Sequence, residues 1–195
     1  MRINITQAKQ RRALDTGAKT VAQTLKKWTK KNVDVSTTTD LISLSESTDI
    51  IDAPKNYIVL YTEIESNVSP GVSLVVMSKK DAIALISLLK LRVDGQAIRI
   101  DKIGKSVLIE TTNLLSGSYL NALSRLADVS LVPSIPAFIS KDKIRNIVKY
   151  VTEKSRKKAQ GGVIFVNEFI IKPYRIKIDL FLLFDRKLLN ILAKK

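Results

Sequence analysis

The chain has 195 residues, 45% of them hydrophobic, and 33 Lys and Arg against 18 Asp and Glu give it a formal charge of +15. That length suits one domain or two small fused halves. With no His and no Cys, a thiol nucleophile, a Ser-His dyad, a Cys/His zinc site and a disulfide framework are all excluded.

Any catalysis therefore falls to carboxylates, amides, hydroxyls, Lys, Arg or a metal brought by a partner. The start, "MRINITQAKQRRALDTGAKT", lacks the continuous apolar segment of a signal peptide. No apolar run reaches the roughly 18 residues of a membrane span. A reducing cytoplasm is the expected compartment. There is no GxxxxGK[ST] loop, and seven glycines suit a nucleotide-binding fold poorly.

In chain order, a first helix is expected over about Thr6 to Lys30, with a strand near Val33 to Ser36. Strands follow at "LISLSE" and "NYIVLYTEIE", then a turn at "SNVSPG". "GVSLVVMS" reads as a buried strand, and "KKDAIALISLLK" as a helix with Leu and Ile at helical spacing. "RVDGQAIRIDKIGK" reads as an irregular connection. The stretch "SVLIETTNLLSGSYLNALSRLADVSLVPSIP", Ser106 to Pro136, reads as an amphipathic helix leading into a strand. A basic helix is expected near Lys141 to Lys158, then strands "GGVIFVNEFIIK" and "YRIKIDLFLLF", and a closing helix "DRKLLNILAKK".

The two halves repeat this order. "GAKTVAQTLKKWTKKNVDVST" can be laid on "LSGSYLNALSRLADVSLVPS" so that Leu25 matches Leu123. "VSLVVMSKKDAIALI" can be laid on "DLFLLFDRKLLNILA". A period near 100 residues is too long for a solenoid. The expectation is a single α+β domain over 1–195, built of halves at about 1–100 and 101–195. Its pseudo-twofold would share one antiparallel-rich sheet, with long helices packed on one face.

In the helix after Ser106, about 100° per residue brings Ser106, Glu110, Asn113, Gly117, Asn121 and Ser124 into one narrow arc. Leu108, Leu115, Tyr119, Ala122, Leu123 and Leu126 fall opposite and are expected in the core. Leu114 and Val107 flank the polar stripe. A Gly in a helix interior costs about 1 kcal/mol against Ala, and Gly117 on the outward face leaves room for another molecule to approach. On periodicity alone, the stripe is equally a solvated surface.

The wider spacing adds to this. Ser106, three residues, Glu110, two residues, Asn113, twenty-two residues, Pro136 resembles the signature of the CheC family of chemotaxis phosphatases. That pattern is Asp or Ser, x3, Glu, x2, Asn, x22, Pro. "NLLSGSYLNALS" also resembles the family's helix, and the family's pseudo-symmetric α+β domain is similar to the repeat above. Many CheC-type proteins carry two sites, and the CheX relatives carry one. The FliY relatives add a flagellar switch module, for which no room is expected after Lys195. In the register set by Leu25, Arg12 stands at the Glu position, Asp15 at the Asn position and Thr38 at the Pro position. Only the second site is expected to be intact.

The resemblance implies hydrolysis of the aspartyl phosphate of the response regulator CheY. The receiver brings the phosphoryl group and its Mg²⁺, so this chain needs no cofactor or metal ligand of its own. Asn113 would position the attacking water, as a glutamine does in GTPases. Glu110 would pair with the receiver's active-site lysine. Ser106 is expected as a helix-start or contact residue, and Pro136 as the residue shaping the strand beside the helix. Val107, Leu114 and Gly117 are expected at the docking face. Implied partners are phosphorylated CheY, the CheD deamidase and flagellar switch proteins. The competing classes are a non-enzymatic chemotaxis or flagellar-switch binding module and a basic nucleic-acid-binding domain. The second is disfavoured by 6% aromatic content and the lack of an RNP-like motif.

Overall fold

The computed structural model describes residues 8–30, 35–43, 56–68, 70–89, 100–139 and 162–194. The expected basic helix at 141–158 lies outside them. In chain order the described elements are α1 (Ala8–Thr29), β1 (Val35–Ser43), β2 (Tyr57–Glu65), β3 (Gly71–Ser78), α2 (Lys79–Leu89) and α3 (Lys102–Ala127). There follow β4 (Val132–Pro133), β5 (Ala137–Phe138), β6 (Gly162–Ile171), β7 (Ile176–Asp185) and α4 (Arg186–Lys194).

The strands form one sheet in the order β1-β6-β7-β3-β2-β4, with β5 also on β2, and every described pairing is antiparallel. That order is a palindrome once β1 is exchanged with β4/β5, β2 with β6 and β3 with β7. The pseudo-dyad passes between β3 and β7. There Leu74 pairs with Phe181, Val72 with Leu183 and Val76 with Asp179. In the superposition of "VSLVVMS" on "DLFLLFD", Phe181 is the counterpart of Leu74. Leu183 and Asp179 are the counterparts of Val76 and Val72.

The local chemistry explains the elements. β3 is buried along nearly its whole length, so it carries the near-continuous apolar run of a central strand. β2 alternates more, as suits a strand nearer the edge. α1 turns Leu14, Ala18, Val21 and Leu25 inward, each no more than 1% exposed, at the helical spacing of a core face. Ser78 starts α2, where its Oγ accepts the Asp81 backbone N–H at 3.0 Å. Side chains from all four described helices share one cluster with Leu60, Val75, Phe165, Leu180 and Leu182 of the sheet. The described helices thus pack on one face. A second apolar cluster, with Val72, Leu74, Val76, Phe181 and Leu183, forms on the other face.

Three expectations are corrected. The separate strands at 33–36 and "LISLSE" merge into one strand, β1. The third long helix starts at Lys102, not Ser106, because Asp101 caps it: its carboxylate accepts the Gly104 N–H at 2.7 Å. The segment before Pro136 is no regular strand. β4 and β5 are two-residue pairings on β2 with Pro136 between them, a residue without an N–H to donate to a ladder.

At the end of the sheet where β7 begins, Lys177 Nζ lies 2.5 Å from Glu168 Oε2 and 3.7 Å from Asp179 Oδ1. Burial pushes the Asp179 carboxyl up from 3.8 to about 6, with Lys177 opposing and Glu168 adding to the rise. A raised folded value means that the folded state holds the proton more tightly. Stability is then lost as pH rises from about 4 through 6. One unit corresponds to about 1.4 kcal/mol, and partial exposure and the lysine reduce the effect. Asp179→Asn is expected to stabilise the protein by about 1 kcal/mol at pH 7.5 and to have little effect at pH 4.5. Urea denaturation at the two pH values checks this.

Candidate functional site

α3 is fixed from behind and from one side. On its sheet side, Ser116 Oγ lies 2.8 Å from Ser73 Oγ of β3, both fully buried. Thr112 is also buried there, and its hydroxyl has no hydrogen-bond partner among the described residues. On the α1 side, Tyr119 Oη donates to the Leu14 carbonyl at 3.2 Å. Burial holds the Tyr119 hydroxyl well above the usual phenol range, so it stays a donor. Gly17 makes room for that ring: a Cβ at Gly17 would come within 2.7 Å of it. Thr24 Oγ1 meets Ser118 Oγ at 2.8 Å, and Trp28 Nε1 donates to Thr111 Oγ1 at 3.3 Å. α1 and α3 therefore run antiparallel, with the last turns of α1 beside residues 111–118.

A helix held in this way presents its outer face as a rigid platform. Ser106, Glu110, Asn113 and Asn121 are exposed, and Gly117 and Ser124 are half-buried. Around a Cβ at Gly117 there is open space, with no atom within 4 Å. Opposite, Leu108, Leu115, Tyr119, Ala122 and Leu123 are buried as expected. Val107 and Leu114 are half-buried beside the stripe, on the α1 side. Glu110 and Asn113 stand one turn apart, and no other described residue engages either side chain.

Two placements differ from expectation. Ser106 does not start the helix. It lies in the second turn, and its hydroxyl donates to the Lys102 carbonyl at 3.1 Å. Pro136 is buried in the break between β4 and β5. There Ser134 spans the gap: its N–H donates to the Glu63 carbonyl at 2.8 Å, and its Oγ accepts the Glu63 N–H at 3.0 Å.

Sequence reasoning missed Ile103. It is 62% exposed and falls about 20° from Glu110 around the helix, so it extends the apolar flank of Val107 and Leu114. The Asp101–Gly104 cap was the signal for it, because a helix beginning at Lys102 places Ile103 on this face.

The first half places different residues at the equivalent positions. Arg12 and Asp15 are exposed on the outer face of α1, with neither the amide nor the carboxylate of the pattern in place.

Comparison with known proteins gives fold neighbours only. No family model matches the sequence, and no curated protein matches it. Among solved structures, FliY from Thermotoga maritima is similar over 99% of this chain and 100% of its own, at 16% identity and a TM-score of 0.67. FliM in the FliG-FliM complex from H. pylori is similar over 99% and 100%, at 13% identity and a TM-score of 0.64. CheX in the CheX-CheY-BeF3-Mg²⁺ complex from Borrelia burgdorferi is similar over 88% and 96%, at 13% identity and a TM-score of 0.58. The chain has a CheC-like fold. The same architecture is seen in these FliY, CheX and FliM structures and in a CheC-like superfamily protein from Shewanella. Among the described residues, no helix is long and apolar enough to cross a membrane.

Proposed function

We propose that this chain is a phosphatase that hydrolyses the aspartyl phosphate of a CheY-type response regulator. The observation that carries the reading is the exposed Glu110–Asn113 pair, one turn apart on the outer face of a helix anchored on its other sides. The reaction needs no nucleophile from the protein. The water oxygen bonds to phosphorus as the bond from phosphorus to the aspartyl oxygen breaks, leaving inorganic phosphate and a free carboxylate. Asn113 can accept a hydrogen bond from that water through its amide oxygen and donate through its NH₂, holding the water in line. Glu110 pairs with the regulator's active-site lysine in a charge-assisted hydrogen bond, which sets the angle of docking. Ile103, Val107 and Leu114 supply apolar contact, and Gly117 permits close approach. In this reading the Mg²⁺ comes with the regulator and supplies charge neutralisation there.

In this reading 1–195 acts as one domain of two halves, divided near residue 100, working in the cytoplasm. CheD and flagellar switch proteins are further partners. A second reading, a switch-type binding module without turnover, draws support from the higher TM-scores to FliY and FliM than to CheX. Phosphate release from phosphorylated CheY separates the two: the phosphatase accelerates it at substoichiometric amounts, whereas the module binds CheY and leaves the rate unchanged. Tight, salt-sensitive RNA binding with no such acceleration would instead favour the nucleic-acid class.

The degenerate half gives a further expectation. Arg12→Ala/Asp15→Ala should leave phosphate release within about twofold of wild type, since exposed substitutions of this kind rarely move stability by more than about 0.5 kcal/mol. Turnover measured on the purified double variant checks it, and a large loss in a folded protein would give α1 a catalytic role.

A further inference from the structure

The outer face of α1 is strongly cationic. Arg12, Lys19, Lys26, Lys27 and Lys30 are all exposed, and Asp15 is the one acid in the helix. At about 100° per residue, Arg12, Lys19 and Lys26 form a ridge at seven-residue spacing, drifting about 20° per step. Lys27 lies on the α3 side of that ridge. It follows Thr24 by three residues and directly precedes Trp28, the residues that touch Ser118 and Thr111. These contacts bring the last turns of α1 level with Glu110, Asn113 and Leu114. Thr24 and Trp28 face α3, so Lys27, about 60° from Thr24, stands on the α3 side, while Lys26, about 160° from both, faces away. Lys27 of the degenerate half thus borders the intact site of the second half.

We infer that Lys27 of α1 forms one edge of the partner-docking surface and selects an anionic face that carries a phosphorylated carboxylate. The inference rests on the phosphatase reading above. Its basis is charge complementarity. A protein face that holds an aspartyl phosphate with Mg²⁺ needs several oxygen ligands for the metal, mainly carboxylates and phosphate oxygens. That surface is rich in anionic groups, and Lys27 at the α1 edge of the platform meets it. Glu110 by itself would repel such a face, and Lys27 offsets this. Rim charges act mainly on association rate and its salt dependence, and little on chemistry once the complex has formed.

The test measures association with phosphorylated CheY by stopped flow, at low and high salt, beside the single-turnover rate of phosphate release. Lys27→Glu reverses one charge and keeps a strong helix former. The control, Lys187→Glu, reverses one charge at an exposed position at the start of α4. That is the end of the sheet away from the last turn of α1, because β1 begins beside Ile171 and the start of β7, whereas α4 follows the end of β7. The expected result is a five- to tenfold slower association for Lys27→Glu at low salt. It should converge on wild type at high salt, with an unchanged single-turnover rate. The control should change association less than twofold. Equal slowing by both variants would overturn the inference in favour of steering by net charge, and wild-type association by the α1 variant would also overturn it. A wild-type chain that neither binds nor dephosphorylates the regulator would overturn the phosphatase reading itself, and this inference with it.

Discussion

Asn113→Ala is expected to reduce accelerated dephosphorylation of CheY by about 10²- to 10³-fold, the scale of losing one aligned catalytic hydrogen-bonding group. Binding of phosphorylated CheY should persist. The side chain is exposed and no described residue leans on it, so the fold should be intact and the loss can be read as chemistry. Glu110→Ala should behave differently, weakening binding and turnover together, because its partner is the regulator's lysine and it acts at docking. Titration of labelled CheY, with phosphate release on the same samples, separates the two effects. Hydrolysis by Asn113→Ala at the wild-type rate would remove Asn113 from the mechanism.

Gly17→Leu is expected to cost about 3 kcal/mol or more, at or beyond the upper end of overpacking effects. The added Cβ alone would stand 2.7 Å from the ring of Tyr119, a side chain fully buried and tied to the Leu14 carbonyl. The ring is fully buried, so making room for a leucine pushes α1 and α3 apart. Trp28, the single tryptophan, sits half-buried between these helices, and its fluorescence follows urea unfolding directly. A large drop in midpoint is the expected result. Adding Tyr119→Ala should recover part of the loss introduced by Leu, as coupled neighbours do in a double-mutant cycle. An unchanged midpoint for Gly17→Leu would mean that the close approach of the helices does little to stabilise the fold.

The parts of the fold visible in the sequence are those written in periodicity. The stripe from Ser106 to Ser124 needed only the helical period, because α3 separates exposed from buried positions over its whole length. The central strands were visible as continuous apolar runs, and their superposition anticipated the pairing of Leu74 with Phe181. The start of α3 was hidden by composition: Gly95 and Gly104 made "RVDGQAIRIDKIGK" look like a connection, although Gly104 supplies the N–H that Asp101 caps. β1 was split because "STTTD" carries no apolar alternation, and its pairing with β6 is a tertiary fact. The cationic charge of α1 was visible as composition but not as position. Lys27 lies more than eighty residues from Glu110 in sequence, and only the Trp28–Thr111 and Thr24–Ser118 contacts bring it to the same side.

The most direct measurement is the lifetime of the acyl phosphate on CheY with the chain in excess, under single-turnover conditions with Mg²⁺ present. The account predicts that the lifetime shortens with increasing protein until it saturates. It predicts the same limiting rate for Arg12→Ala/Asp15→Ala and nearly the unaided rate for Asn113→Ala. A lifetime that stays at its unaided value while CheY is fully bound would contradict phosphatase activity at the outer face of α3.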